Sequence, residues 1–126
     1  MIKRIVVAGS RNYENYSEVK KYIETCIKEI KCKYALIFLS GGCKGADMLG
    51  EGYANENGFH IERYPADWQR YGKSAGLKQN FQMAKSCDYI ICFWDGKSPK
   101  TASMISYARK FQKPIKIKII YPKGLC

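Results

Sequence analysis

The chain has 126 residues, 22 of them Lys or Arg against 11 Asp or Glu, for a net charge of +11. That length fits one domain, residues 1–126, with room for a real hydrophobic core, and 46% hydrophobic with 26% charged residues excludes a disordered chain. No apolar run approaches the roughly 20 residues of a membrane-spanning helix, and the short apolar N-terminus carries no small-residue cleavage site before Ser10-Arg11-Asn12; a cytoplasmic protein without membrane contact is expected.

Lys3 to Ala8 is apolar and β-branched and predicts a first strand ending at Gly9. Asn15 with Glu18 three residues later predicts a capping box, opening a helix whose apolar positions are Val19, Tyr22, Ile23, Cys26, Ile27 and Ile30. Residues 35–40 predict a buried strand. A second helix is expected from about Ala46 to Asn57, with Leu49, Tyr53 and Ala54 inward and Gly58 as its stop. Phe59 to Tyr64 predicts a third strand, and Pro65 to Gly72 a loop. Ala75 to Ser86 predicts a helix with Leu77, Phe81 and Ala84 on its core side. Asp88 to Trp94 reads as a strand, Asp95 to Lys100 as a loop, and Thr101 to Phe111 as a helix burying Met104, Ile105, Ala108 and Phe111. Pro114 to Tyr121 closes the chain's regular structure, its Lys116 and Lys118 alternating with isoleucines as in an edge strand. Strands alternating with helices four times imply an α/β fold: a five-stranded, mainly parallel sheet, β1 central, with helices on both faces. Ligands of such sheets sit beyond the carboxyl ends of the strands.

Six cysteines, Cys26, Cys32, Cys43, Cys87, Cys92 and Cys126, include no C-x-x-C pair, and His60 is the sole histidine, so no metal site is expected. Cys26 and Cys92 fall at core positions. Cys43 sits in a glycine-rich loop ahead of a helix, a setting that can activate a thiol, although an ordinary free thiol is the plainer reading. Seventeen of the 22 cations are lysines spread along the chain. The charge favours an acidic ligand but, without a dense basic stripe, disfavours nucleic acid.

Gly72-Lys73-Ser74 and Gly96-Lys97-Ser98 imitate the end of a P-loop, but the first glycine of that pattern is replaced by Asp67 and by Ile91. Gly9-Ser10-Arg11-Asn12-Tyr13-Glu14 fails the dinucleotide fingerprint. The segment Gly41-Gly42-Cys43-Lys44-Gly45-Ala46-Asp47 is better suited to a ligand. Its glycines permit tight turns and close approach, and the helix beginning at Ala46 aims amides and a positive dipole end at the loop. The alternative is that these glycines merely turn the chain. The loop Asp95-Gly96-Lys97-Ser98-Pro99-Lys100-Thr101 also opens a helix, with Thr101 as its cap or as a ligand contact. Arg11 can clamp an anion or decorate the surface. Trp68 and Trp94 can stack on a base or pack, and Asp47 and Asp67 can accept from ribose hydroxyls or cap backbone amides.

These pieces occur in a recognisable order: Gly9-Ser10-Arg11; Gly41-Gly42-x-x-Gly45-Ala46-Asp47; Tyr64-Pro65-Ala66-Asp67-Trp68; Gly72-Lys73-Ser74-Ala75-Gly76; Asn80 and Met83; Phe93-Trp94-Asp95-Gly96-x-Ser98 with Thr101. The set resembles the YspA-like branch of the SLOG superfamily, small domains formerly of unknown function, over nearly the whole chain. The resemblance implies a Rossmann-like three-layer sandwich that binds nucleotides or nucleotide-derived ligands between its glycine-rich loops, often as a homodimer or tetramer. Relatives implied by it include cytokinin-activating phosphoribohydrolases, a DNA-processing protein that loads single strands, and sensors of ADP-ribose-type immune signals. The phosphoribohydrolases carry G-T-x-x-E in the second loop, with the glutamate catalytic. Here that stretch reads Lys100-Thr101-Ala102-Ser103-Met104, and Met104 cannot serve as a general acid or base. The arginine that often precedes Asn80 is Gln79.

The expected function is therefore non-enzymatic binding of a nucleotide-derived small molecule, for sensing or sequestration; a phage sponge for an ADP-ribose-like or cyclic-nucleotide immune signal is one form of it. The expected ligand-binding residues are Gly9, Ser10, Arg11, Gly41, Gly42, Lys44, Gly45, Ala46, Asp47, Trp68, Lys73, Asn80, Trp94, Asp95, Gly96, Ser98, Lys100 and Thr101, with no cofactor and no metal. One alternative is an enzyme cleaving the N-glycosidic bond of a nucleoside monophosphate, with Glu51, Glu56 or Asp95 replacing the missing glutamate, although Glu51 and Glu56 are expected to face solvent. Another is a single-stranded nucleic-acid binder. Tyr22 and Tyr107 exceed what a small core is expected to hide, which points to a homo-oligomer.

Overall fold

The computed structural model describes residues 2–30 and 35–121, so Cys32 and Cys126 lie outside the described residues. Strands β1 (Ile2–Gly9), β2 (Ala35–Ser40), β3 (His60–Arg63), β4 (Tyr89–Trp94) and β5 (Ile115–Ile119) form one sheet of order β3-β2-β1-β4-β5. Every neighbouring pair is parallel. β1 is central, and β5 is an edge strand, as its alternating lysines predict.

The pleat of β1 divides the core. Ile5 and Val7 face α1 (Tyr16–Glu29) and α2 (Ala46–Glu56), packing with Val19, Ile23, Phe38, Tyr53 and Phe93. Val6 and Ala8 face α4 (Ala75–Ser86) and α5 (Pro99–Lys110), packing with Met83, Ile90, Cys92 and Met104. β2 leaves β1 on one side and β4 joins it on the other. The strand order therefore reverses between β1 and β4, the place where open α/β sheets hold ligands.

Asn15 caps α1, its side chain accepting from the Glu18 amide at 3.1 Å. The reciprocal half of the predicted box is absent, because the Glu18 carboxylate accepts from the Tyr13 hydroxyl. The stretch read as a loop from Pro65 to Gly72 contains a one-turn helix α3 (Trp68–Tyr71), capped by Asp67 onto the Arg70 amide, and a 3₁₀ turn over Gly72–Ser74. On α4 the buried positions are Ala75, Gly76, Gln79, Asn80, Met83 and Ala84, whereas Leu77 is 45% exposed. The inward stripe thus runs one position off the expected one, and two of its members are polar. α5 starts two residues earlier than expected, with Ser98 at the cap and Pro99 in the first turn. Proline suits that position, where its missing N–H is no loss; Thr101 is consequently buried inside the helix and does not cap it.

Tyr22 packs edge-on against Phe93 at 5.6 Å and Tyr107 against Phe81 at 5.6 Å. Both are half-buried within one chain and make no case for an oligomer. Among the described residues no helix is long and apolar enough to cross a membrane.

Candidate functional site

A cleft of about 460 Å³ opens at the carboxyl ends of β1 and β4, lined by Ala8 to Asn12, Cys43, Asp47, Asn80, Asp95 and Ser98 to Thr101. Its volume is in the range of about 300–1,000 Å³ typical of small-molecule sites. Three loops build it, and backbone contacts lock them together. Ser10 donates its amide to the Phe93 carbonyl at 3.0 Å, and the Ala46 amide donates to the Ser10 carbonyl at 3.2 Å. Such approach excludes side chains. A Cβ on Gly45 (φ +82°) would lie 2.1 Å from the Ser10 oxygen, and one on Gly9 would lie 2.2 Å from the Phe93 oxygen. A Cβ on Gly41 would press on the Asp47 carboxylate at 2.9 Å. Gly42 (φ +73°) is an exposed turn residue whose amide donates to Ser40 Oγ at 3.0 Å. Chain turning and loop packing therefore account for these glycines, so their abundance alone carries no argument for a ligand.

The floor is polar and closely wired. Lys100 Nζ lies 2.7 Å from Gln79 Oε1 and 2.9 Å from Cys43 Sγ. Gln79, 97% buried, donates from Nε2 to the carbonyls of Gly41 and Tyr64, each at 2.7 Å. Asn80 donates to the Lys100 carbonyl at 2.9 Å and to Ser103 Oγ at 3.0 Å. Asp47 is 95% buried; burial raises its carboxyl to about 6 even though Lys100 and the backbone amides of Cys43 and Gly9 favour the charged form. Asp95 has the opposite bias. Burial opposes its ionisation, but the Ser98 and Lys97 amides, donating to Oδ1 at 2.7 and 2.8 Å, outweigh it and hold the carboxyl below its ordinary value.

Two helices start at this cleft without a side-chain cap. α2 begins after Gly45, which has no side chain to offer. α5 begins after Ser98, whose hydroxyl lies 3.4 Å from Ser10 Oγ and 3.3 Å from Asp95 Oδ2 and makes no cap bond. First-turn amides have no partner within their own helix and carry the positive end of the dipole, so the starts of α2 and α5 suit an anion. Arg11 stands exposed at the rim and makes no ion pair among the described residues.

Of the residues expected at the site, Gly9, Ser10, Arg11, Asp47, Asn80, Asp95, Ser98, Lys100 and Thr101 line the cleft. Gly41, Gly45 and Ala46 shape it from behind. Gly42, Lys44, Lys73 and Gly96 are exposed on turns and are not part of the lining. Trp94 donates its indole N–H to the Ser98 carbonyl at 3.2 Å and so braces the second loop. Trp68 is 52% exposed; its ring reaches within 3.7 Å of where a Gly76 Cβ would stand, on the flank beside Lys100. Ala8, Asn12 and Pro99 were not expected in the lining, and Cys43 was weighed only as a reactive thiol.

The carboxylates weighed as substitutes fare differently. Glu51 is 3% exposed, not solvent-facing, because α2 turns it toward β3, where it accepts from Arg63 at 2.6 Å and from Ser40 Oγ at 2.6 Å. Glu56 is exposed and bonded to Tyr16 and Lys20. Met104 is fully buried in the α4/α5 core. No group of His, Cys, Asp and Glu among the described residues is arranged to hold a metal.

Residues 3–71 match the family described as YspA, cpYpsA-related SLOG. The chain belongs to this SLOG family. It is 28% identical over 120 residues to the Gene 61 protein of Mycobacterium phage D29, covering 90% of this chain and 94% of that one. Among solved structures it is similar to DNA processing protein A (DprA) of Streptococcus pneumoniae, with a TM-score of 0.72 at 18% identity. That match covers 99% of this chain but 53% of the DprA chain. It is also similar to TM1055, with a TM-score of 0.64 at 21% identity over 91% of this chain and 72% of the other. At these identities the structural likenesses establish the fold, which is the Rossmann-like α/β architecture of SLOG-type proteins.

Proposed function

We propose that the cleft between the ends of β1 and β4 binds a nucleotide-derived ligand and holds it without chemical change, as a sensor or a sequestering protein. The observation that carries this is the meeting of two uncapped helix starts, α2 and α5, with Arg11, which makes no ion pair among the described residues, at the switch point of a SLOG sheet. A phosphate is assigned to the α5 start and Arg11. Asp47 is assigned to accept from ribose hydroxyls, and the half-exposed Trp68, on the flank beside Lys100, to meet a base.

One observation favours a second reading. Asp47 is a buried carboxyl in a cleft, raised to about 6, the property of a general acid. An enzyme cleaving the N-glycosidic bond of a nucleoside monophosphate would use Asp47, since Glu51 is committed to Arg63 and Asp95 to its own loop. Equilibrium dialysis against AMP, ADP-ribose, cyclic ADP-ribose isomers and cyclic dinucleotides, followed by chromatography of the bound fraction, separates the two. Intact ligand in proportion to protein supports binding. Multiple-turnover release of free base or ribose phosphate, lost in Asp47→Asn, supports the enzyme.

A further inference from the structure

The fold sorts the carboxylates of its helices rather than their lysines. α1 and α2, on one face of the sheet, carry three lysines against six carboxylates. Residues 68–86, containing α3 and α4, together with α5, carry Arg70, Lys73, Lys78, Lys85, Lys100, Arg109 and Lys110 and no carboxylate at all. Lys100 points into the cleft floor; the other six are exposed. None of the seven takes part in an ion pair among the described residues, whereas every ion pair found there involves a Glu elsewhere in the molecule.

Aromatic rings lie between these cations. The Arg70 guanidinium is 5.2 Å and the Lys78 ammonium 4.6 Å from the centre of the Tyr71 ring. One turn along α4 from Lys78, Phe81 is half-buried against Tyr107 and Phe111 and has the Lys110 ammonium 5.9 Å from its centre. Trp68, 52% exposed, lies one turn before Tyr71 on α3. Beside Tyr71 runs a groove of about 480 Å³ lined by Pro65, Asp67, Arg70, Lys78 and Gln82.

We propose that this α3/α4/α5 face docks single-stranded nucleic acid, with the backbone phosphates on the lysines and arginines and unpaired bases on Trp68 and Tyr71. On this surface the cations outnumber the carboxylates, and Asp67 at the groove is engaged in capping the Arg70 amide, so the face is complementary to a polyanion; flat rings between the cations suit bases that have left a stack. Symmetric pairing of this face with itself in a second copy is disfavoured, because it brings like charges together. An anionic membrane fits less well: the apolar stripes of α4 and α5 are buried in the core, and of their large aliphatic side chains Leu77 is left exposed, too little to insert. This inference shares Trp68 with the cleft reading, so its test rests on Lys78, Lys85 and Tyr71, which do not line the cleft.

The test is fluorescence anisotropy of a labelled 20-mer oligodeoxythymidylate against the full chain between 50 and 200 mM NaCl. Binding that weakens steeply with salt is expected. Lys78→Glu/Lys85→Glu should weaken it about tenfold or more, while Lys21→Glu/Lys28→Glu on α1, an equal change in net charge, should weaken it less than about twofold. Circular dichroism checks both pairs, and Lys78→Ala/Lys85→Ala replaces the first should it fail to fold. Tyr71→Leu should cost about fivefold or more on the single strand through lost stacking. Equal losses in the two charge-reversal pairs would overturn the proposal, since net charge alone would then explain binding. So would duplex binding as tight as single-strand binding, or binding to phosphatidylserine vesicles with none to the oligonucleotide.

Discussion

The loop after β2 and the loop after β4 meet at the same cleft but are built by different means. In the first, glycine does the work. Gly45 and Gly41 let one backbone lie against another, the Gly42 amide is bonded to Ser40, and the Ala46 amide to Ser10. In the second, a side chain does the work. Asp95 gathers the Lys97 and Ser98 amides, Trp94 braces the Ser98 carbonyl, and the start of α5 faces the cleft through Pro99, Lys100 and Thr101. A glycine-rich stretch here marks close packing, and the loop with fewer glycines contributes the larger share of the lining.

Changes of single residues can break or sharpen that contrast. The largest effect is expected from Gly45→Ala. Its Cβ would meet backbone at 2.1 Å with φ at +82°, so unfolding stability should fall by about 3 kcal/mol or more. Denaturant titration measures this; a loss below about 1 kcal/mol would mean the loops are not locked together.

Next comes Asp47→Asn. The folded-state carboxyl, raised from 3.8 to about 6, binds a proton the unfolded chain would release in that interval. Stability of the parent should therefore fall as pH rises from about 4 to 6 and stay lower above it. Removing the charge should flatten that window and raise stability at pH 8, on the order of 1–3 kcal/mol, while weakening ligand binding. A thermal-melt series across pH that shows no difference between parent and variant would contradict the assignment.

Arg11→Ala should leave the melting temperature unchanged and reduce affinity about tenfold to a hundredfold, the value of a charge-assisted hydrogen bond. Calorimetry with whichever nucleotide binds would decide it. The smallest effect is Gly42→Ala. A Cβ there meets nothing within 4 Å, so only the positive φ should register, at about 1 kcal/mol. A large loss of affinity in that folded variant would return the Gly42 amide to the site.

Most of the fold was legible because strand and helix periods differ and the glycines and caps punctuate them. β2 and α4 fall at the expected residues, and Asn15 caps as read. The one-turn α3 is too short to show a period, although Asp67 supplies its cap. Pro99 could have announced the early start of α5. Glu51 looked solvent-facing because its partner, Arg63, lies on another element, and Gln79 looked like a lost arginine because its contacts reach Gly41 and Tyr64 across the fold. The charged face was invisible for the same reason. Only the sheet order decides which helices share a side, and the six carboxylates of α1 and α2 then fall on one side while α4 and α5, with none, fall on the other.

The most direct measurement is mass spectrometry of the small molecules released when the parent protein and Arg11→Ala, purified from the same cells in parallel, are denatured. A phosphate-bearing, nucleotide-derived compound is expected, released near one per chain from the parent and strongly depleted in the variant. A parent that releases none, or a compound without phosphate retained equally by Arg11→Ala, would contradict it.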